Sequence, residues 1–288
     1  MFKKWFKTLI VLVAVSIIAM PASAITYGDQ DYGEHPYVGL IGFYDTAGNW
    51  LWRCSGTLLS PDLVLTAGHC TGDDPEYGTP ASARVWFDEQ IIYDPDLDDY
   101  TNTPYFDGIP VPHPDWPGAL SIPETHDIGV VVLDSPVPAD VVAEFGQLPT
   151  LGLMDEVGSK SDKRKVIITS VGYGVNDLHP EELSYRTRYQ AQSFLINLNN
   201  AMTGGWNNMA SNNPGQWVGS EDYTTGGTCF GDSGGPVFLG GPESDVVVGI
   251  TSFGNSGCAG TDFSYRVDIQ DSQDFLNSVI NDYGLEFP

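Results

Sequence analysis

The chain alternates between short apolar runs and polar segments rich in turn-forming residues. The apolar runs contain valine, isoleucine and aromatic residues and end at glycine, proline, aspartate or asparagine, a pattern typical of β-strands. The clearest runs cover residues 37–43, 62–66, 83–87, 128–133, 166–171, 236–239 and 246–252. Many short strands in one chain favour an antiparallel sandwich or barrel.

The C-terminal end carries the pattern of a helix. Its apolar residues recur at helical spacing, at Phe275, Leu276, Val279, Ile280 and Tyr283. Asp271 or Ser272 would cap the start of this helix. Two polar stretches, 88–123 and 197–227, predict long loops. The fold class is therefore all-β with a C-terminal α-helix.

The first 24 residues follow a different pattern. A positively charged head with three lysines precedes an apolar run from Leu9 to Met20, and a small-x-small sequence ends at Ala24. The apolar run is too short to favour a transmembrane anchor. We therefore expect a secretory signal peptide over residues 1–24 and a secreted chain, without a membrane anchor, that begins at Ile25.

The charge of the chain limits its partners. The formal net charge is −26, with 38 acidic and 12 basic residues. Nucleic acids and anionic membranes require clustered lysine and arginine, so we expect neither as a partner. We interpret the acidic surface as a solvated coat on a soluble monomer.

The cysteines and acidic clusters bear on disulfides and metals. An even number of cysteines in an exported chain indicates disulfides, here among Cys54, Cys70, Cys229 and Cys258, and the residues alone leave all three pairings open. No cysteine or histidine pair has the spacing of a zinc site. Calcium could bind the acidic side chains of a loop, Asp94, Asp96, Asp98 and Asp99. That loop lacks the glycine and glutamate of an EF-hand, so we expect a solvated loop and no cofactor.

The stretch GGTCFGDSGGP, residues 226–236, places Ser233 among glycines. A serine hydroxyl becomes a good nucleophile when a histidine takes its proton and a carboxylate orients that histidine. His69 follows an apolar strand in LVLTAGHC, and Asp127 stands at the head of a buried strand in THDIGVVVL. An acid in such a strand needs a partner. These three residues are the candidate catalytic group.

An alternative for the same serine is the nucleophile elbow of α/β-hydrolases, which also has the pattern G-x-S-x-G. In that fold the catalytic histidine follows the serine along the chain. Here every histidine precedes Ser233: His35, His69, His113, His126 and His179. The alternative therefore lacks a base.

Five motifs in a fixed order now point to a family. They are TAGHC at 66–70, DIGVVVL at 127–133, VGYG at 171–174, GDSGGP at 231–236 and SFG at 252–254. With them the chain resembles the chymotrypsin and trypsin family of serine peptidases. The resemblance implies a secreted serine endopeptidase, acting on proteins or peptides through an acyl-enzyme. It also implies one peptidase domain over 25–288 with two antiparallel six-stranded β-barrels, over about 25–150 and 151–288.

The resemblance also assigns roles to the catalytic residues. Ser233 corresponds to the nucleophile, His69 to the general acid and base, and Asp127 to the carboxylate that fixes the histidine tautomer. The backbone N–H groups of Gly231 and Ser233 would form the oxyanion hole. The buried Asp232 would pair with the ammonium of Ile25 once the chain begins there.

The resemblance pairs the cysteines as well. It joins Cys54 to Cys70 beside the histidine, and Cys229 to Cys258 beside the specificity pocket. This pocket is predicted to be lined by Ser252, Phe253 and Gly254 on one wall, with Gly227 at its base and Asp262 or Phe263 on its other wall.

Specificity follows from the base of that pocket. The family places the residue that selects lysine or arginine six positions before the nucleophile, and here it is the uncharged Gly227. Either Asp262 or Phe263 could face the pocket from its other wall, which is shorter than in the family pattern. We expect cleavage after uncharged residues, with trypsin-like specificity as the alternative if Asp262 points inward. The alternatives for the whole chain are an inactive binding protein on the peptidase fold and esterase side activity.

The other histidines are predicted to lie outside the catalytic group. His126 neighbours Asp127, but adjacent strand residues face opposite ways, so we expect it on the surface. His113 is interpreted as a loop residue. His35 and His179 precede prolines and are expected at the surface.

Overall fold

The computed structural model describes residues 25–26, 28–94, 99–102, 104–121, 124–160, 166–176, 182–198, 207–213 and 226–287. The predicted signal peptide lies outside these residues, as do Asp96, Asp98 and His179. Among the described residues, no helix has the length and apolar character needed to cross a membrane.

The first half of the chain forms an antiparallel barrel. Its elements in chain order are β1 (Asp29–Gln30), β2 (Val38–Tyr44), β3 (Trp50–Ser60), β4 (Leu63–Thr66), α1 (Gly68–Thr71), β5 (Ser82–Trp86), β6 (Tyr93–Asp94), β7 (Asp99–Tyr100), β8 (Phe106–Pro112) and β9 (Gly129–Leu133). Six of the strands close in the order β2-β3-β4-β9-β8-β5. Every residue of β9 is buried, which explains its unbroken run of valines.

The second half forms another barrel. Its elements are α2 (Leu153–Lys160), β10 (Ile167–Gly172), β11 (Tyr189–Asn197), β12 (Asn208–Asn213), β13 (Pro236–Leu239), β14 (Val247–Gly254), β15 (Gly260–Arg266) and α3 (Gln270–Tyr283). The strand order is β11-β10-β13-β14-β15-β12, and β12 pairs back onto β11. The chain therefore has two closed six-stranded antiparallel barrels, as the resemblance implies.

The two ends of the chain cross between the barrels. Strand β1 pairs with β11 of the second barrel, with Asp29 opposite Gln190. Helix α3 instead reaches the first barrel, where the ring of Phe275 lies 5.1 Å from the ring of His113. Each end of the chain therefore contacts the barrel that the other half of the chain builds.

All seven strands predicted from apolar runs are present within two residues of their expected limits. Other elements were not predicted: β6, β7 and β8 lie in the predicted loop 88–123, β12 lies in the predicted loop 197–227, and no predicted run or helix corresponds to β1, β3, β11, β15, α1 or α2. The predicted cap of the C-terminal helix is also wrong, because the residue before α3 is Ile269 and has no side-chain cap. Ser272 instead donates to the carbonyl of Arg266, and Asp271 accepts from the hydroxyl of Tyr265.

Candidate active site

The three candidate catalytic residues come from both barrels. His69 lies in α1, directly after β4, and Asp127 lies two residues before β9. Ser233 lies in the turn that leads into β13. The side chains of His69 and Ser233 line the same two cavities. The fold therefore brings the first-barrel histidine and the second-barrel serine to one cleft.

Asp127 is completely buried and accepts hydrogen bonds from three groups. The backbone N–H of His69 donates to its carboxylate at 2.8 Å. The ring Nδ1 of His69 lies 3.0 Å from each carboxylate oxygen. Ser252 on β14 donates its hydroxyl to the same carboxylate. Because a carboxylate can only accept, Nδ1 carries the proton and Nε2 is left free to act as a base.

The two partners change each other's pKa. Burial by itself lowers the pKa of His69, but the charge and hydrogen bond of Asp127 outweigh it, so that the pKa is raised. Burial by itself raises the pKa of Asp127, but the charge of His69 and the hydrogen bonds from His69 and Ser252 hold that pKa below its usual value. The pair therefore favours an ionised aspartate beside a histidine that accepts a proton readily.

The glycines around Ser233 allow close packing of the two barrels. Gly231 has φ +93°, and Gly234 has φ +77°, both in the left-handed region. A side chain on Gly234 would collide with the hydroxyl of Thr66 in the first barrel. The N–H of Ser55 donates to the carbonyl of Ser233 at 2.8 Å, and the hydroxyl of Ser55 donates to the carbonyl of Gly231 at 2.9 Å. The serine turn is therefore fixed by the barrel that carries His69.

Two disulfides stabilise the loops of the cleft. The structure joins Cys54 to Cys70 and Cys229 to Cys258, which are the pairs implied by the resemblance. The first bridge ties β3 to α1, the helix of His69. The second ties the serine loop to the segment between β14 and β15.

Asp232, beside the serine, is completely buried. Its carboxylate accepts the backbone N–H of Gly174 at 2.7 Å and that of Cys229 at 2.9 Å. Burial raises its pKa to about 7 although these hydrogen bonds oppose the shift. Ile25 is buried as well, and the next residue, Thr26, pairs with Gly227. The start of the described chain is thus docked on the serine loop.

The first cavity of the cleft has a volume of about 240 Å³. Of the predicted pocket residues, Ser252, Phe253 and Gly254 line it, together with the disulfide Cys229–Cys258 and residues that the sequence did not indicate: Leu120, Thr228 and Phe230. Gly227, Asp262 and Phe263 are not among its described lining residues. A side chain on Gly227 would overlap Asn213, so this glycine serves close packing behind the cavity.

Both candidates for the other wall of the pocket, Asp262 and Phe263, are engaged by neighbouring residues outside the described lining of the cavity. The carboxylate of Asp262 is buried behind the cavity wall, where it accepts the N–H of Thr228 at 2.7 Å and the amide of Asn213 at 2.9 Å. Burial raises the pKa of Asp262, although these hydrogen bonds oppose the shift. The ring of Phe263 stacks on Phe253 at 4.7 Å between ring centres. Thr228 therefore separates the carboxylate from the cavity.

A second cavity of about 350 Å³ lies on the other side of Ser233. Its lining residues are Leu51, Trp52, Arg53, Cys54, His69, Asp74, Tyr77, Phe230 and Ser233. No sequence pattern predicts this cavity. The run WLWRC, which ends at the disulfide-bonded Cys54, supplies four of its residues.

Two histidines predicted at the surface are more buried than expected: His35 completely and His126 partly. His35 is completely buried, its ring stacks on Phe238 at 4.9 Å between ring centres, and its Nδ1 contacts the carboxylate of Asp31. Arg188 donates to that carboxylate at 2.8 Å. Burial by itself raises the pKa of Asp31, but the hydrogen bond from His35 and the charge of Arg188 outweigh it, so the pKa is lowered. This network fixes β1 and the segment before β2.

His126 is the other one, and it has φ +41°. Its ring stacks on that of the buried His113 at 4.9 Å, and its Nδ1 lies 3.0 Å from Asp271 of α3. These three side chains are close enough to share a metal ion. However, the backbone N–H of Asp115 donates to Nδ1 of His113 at 3.1 Å. A neutral ring that accepts at Nδ1 carries its proton on Nε2, so neither nitrogen is free to bind an ion. Hydrogen bonding thus accounts for the cluster without a metal.

Comparisons with known proteins agree with this geometry. The Trypsin family profile matches residues 27–276. Glandular kallikrein of Sus scrofa is 26% identical over 238 residues, covering 78% of this chain and 82% of that protein. Kallikrein-2 of Homo sapiens is 27% identical over 222 residues, 72% of each chain. The solved structure of HL collagenase has the same fold, with a TM-score of 0.62 and 17% identity over 91% of this chain and all of that one. The chain therefore belongs to the trypsin family of serine-type endopeptidases.

Proposed function

We propose that this chain is a secreted endopeptidase in which Ser233 is the nucleophile, His69 the general acid and base, and Asp127 the residue that orients His69. The observation that carries the proposal is the set of hydrogen bonds on Asp127. These hydrogen bonds favour the tautomer of His69 with its proton on Nδ1, which supports a basic Nε2 that would serve Ser233 in the cleft that the two residues line.

The reaction uses these groups in sequence. Ser233 attacks the carbonyl carbon of the scissile bond while His69 takes the hydroxyl proton at Nε2. The N–H groups of Gly231 and Ser233 stabilise the oxyanion, and His69 then protonates the leaving amine. A water molecule, activated by His69, hydrolyses the acyl-enzyme. This sequence needs no cofactor, and a monomer supplies all of its groups.

The proposed specificity is for uncharged residues on the acyl side of the scissile bond. The first cavity would hold that side chain, and its described lining is apolar or neutral apart from His69. A lysine or arginine there would lose water without meeting a carboxylate, because Thr228 lies between the cavity and Asp262. Trypsin-like specificity would require Asp262 to leave its hydrogen bonds with Thr228 and Asn213.

The proposed activation is a single cut after Ala24. Removal of the signal peptide would then free the amine of Ile25, which is buried against the second barrel. The ammonium would compensate the carboxylate of Asp232 and hold Gly231 and Ser233 in the oxyanion-binding arrangement. Export and activation would be the same event.

A serine-directed label tests the function. We expect a fluorophosphonate probe to modify Ser233 in peptide mapping. Ser233→Ala should lower kcat on a peptide substrate by about 10⁴-fold or more, with an unchanged melting temperature. Ser135→Ala, in an exposed turn, is the matched control and should keep full activity. Near-normal peptidase activity of Ser233→Ala would disprove the assignment, and an unlabelled wild type would favour an inactive binding protein.

A further inference from the structure

The second cavity lies where the leaving-group side of a substrate must pass. The two cavities share His69, Phe230 and Ser233, so the serine stands between them. The first is walled by the disulfide Cys229–Cys258 and would hold the side chain on the acyl side. An extended peptide bound there continues past Ser233 into the second cavity, beside Cys54. The residues of this second cavity therefore meet the peptide after the scissile bond.

Arg53 is the basic side chain of this cavity, and the contacts of its charge are incomplete. Its Nη2 donates to the hydroxyl of Ser184 at 3.0 Å, while its Nε is buried and has no partner among the described residues. The described carboxylates form no ion pair with it. Burial lowers the pKa of its guanidinium. An arginine that is partly buried and makes one hydrogen bond to a neutral group keeps most of its N–H donors available for an anion.

The position of this guanidinium relates it to the reacting bond. A methyl group placed on Gly231 would lie 3.2 Å from Nε and 3.3 Å from Nη2 of Arg53. Arg53 therefore lies directly against the residue proposed to bind the oxyanion. A peptide whose carbonyl occupies that site has its next one or two residues within reach of Arg53.

The missing partner is not explained by a shortage of acids. The chain has 38 acidic residues and 12 basic ones. The charges of Asp232 and Glu182 act on Arg53, but no described acid forms an ion pair with it. Asp74 lines the same cavity, but its Oδ1 accepts the backbone N–H groups of Glu76 and Tyr77, at 2.8 and 2.9 Å. It stabilises its own turn and raises the pKa of His69.

We propose that Arg53 selects peptides with aspartate or glutamate at the first or second position after the scissile bond. A carboxylate matches the fork of the guanidinium and would supply the charge-assisted hydrogen bonds that the protein does not. This inference rests on the proposed function and adds the substrate class on the leaving-group side.

The test uses internally quenched peptides of one composition. In one set, aspartate occupies the first or second position after the scissile bond, and asparagine lies six positions further along. In the other set, these two residues are exchanged. Both have the same net charge, so the long-range repulsion from the acidic protein is matched. We expect the wild type to prefer the near aspartate by about tenfold in kcat/KM, as for one charge-assisted hydrogen bond. The preference should persist in 0.5 M salt, since a partly buried pair is weakly screened.

Variants then assign the preference to Arg53. In Arg53→Gln the ratio between the two peptides should fall to about one, and in Arg53→Lys it should be intermediate, because a lysine keeps the charge without the fork. The control variant Arg84→Gln removes an arginine on β5 that pairs with Asp107 on β8, and it should keep the wild-type ratio. If Arg53→Gln does not fold, the wild type and Arg53→Lys decide the result.

Each outcome has a separate meaning. A wild type that is labelled at Ser233 and cleaves both peptides equally overturns the role of Arg53 and leaves the proposed function intact. A preference that is unchanged in Arg53→Gln, or in a folded Arg53→Lys if the glutamine variant fails, also overturns it. A protein that is not labelled at Ser233 and cleaves neither peptide overturns the proposed function itself.

Discussion

One additional residue in front of Ile25 should destabilise the folded protein near neutral pH. Asp232 is completely buried, and burial raises its pKa to about 7 although the charge of Arg53 and two backbone hydrogen bonds lower it. When the chain begins at Ile25, the new ammonium can pair with this carboxylate. When Ala24 precedes Ile25, the amine is part of a peptide bond and the pairing is lost. The two forms differ by one alanine and by whether the carboxylate of Asp232 can pair with an ammonium.

The size of the effect follows from the pKa of Asp232. The pKa of Asp232 rises from 3.8 to about 7 on folding, which corresponds to a change in the free energy of unfolding on the order of 4 kcal/mol. Because the folded pKa is the higher one, the folded state binds more protons than the unfolded state between these values. The stabilising contribution is complete below about pH 4 and is lost as the pH rises through 7. The form that begins at Ile25 should escape most of this loss.

The assay is urea unfolding of the two forms between pH 4.5 and 7.5, each with Ser233→Ala to prevent self-digestion. We expect the form with Ala24 to lose up to about 3 kcal/mol more stability over this range than the form that begins at Ile25, because part of the transition lies below pH 4.5. The titrating side chains other than Asp232 are common to both forms and cancel in the difference. In the form with Ala24, Asp232→Asn should abolish the loss, because an amide does not titrate.

Two results would refute this reasoning. One is an identical pH dependence of stability in the two forms. The other is full peptidase activity of an enzyme that keeps Ala24, because the proposed ammonium would then have no part in forming the oxyanion site. A loss of activity without a difference in stability would indicate that the free end at Ile25 shapes the cleft but does not compensate the charge of Asp232.

The remaining predictions concern the disulfides and the specificity pocket. Replacing both Cys54 and Cys70 by alanine should lower the free energy of unfolding by about 2–5 kcal/mol in urea titration, and an unchanged value would contradict a stabilising bridge. Peptides with arginine before the scissile bond should be cleaved slowly by the wild type and by Asp262→Asn alike. Fast cleavage that the Asp262→Asn variant abolishes would show that this carboxylate enters the cavity.

The sequence predicts strands well where apolar runs are short and continuous, and less well where polar side chains are buried by distant partners. Strand β12 reads NMASNN, which resembles a loop. Its Asn208 donates to Thr125, and its Asn213 donates to Asp262, residues that are far away along the chain. Strand β8 contains two prolines and ends partly exposed. Neither strand has an apolar pattern that marks it before the partners are known.

The motifs predicted which residues meet at the cleft, but not the burial of the others. His35 looks like a turn residue in sequence, yet Asp31 and the distant Arg188 provide a buried site for it. The neighbour rule for strands failed at His126, because the left-handed backbone there turns the ring toward α3. The cavity that contains Arg53 depends on the approach of β3 to the serine loop, which no local pattern encodes.

The proposed activation and the proposed specificity would be linked through two buried acids, Asp232 and Asp262. Asp262 lies close enough to Asp232 for its charge to raise the pKa of Asp232. The interaction is mutual, so an Asp232 that is ionised by the ammonium of Ile25 makes ionisation of Asp262 less favourable. Burial already raises the pKa of Asp262. A carboxyl group that resists ionisation is a poor counter-charge for lysine or arginine, so the pairing that would form the oxyanion site would also favour a pocket for uncharged side chains.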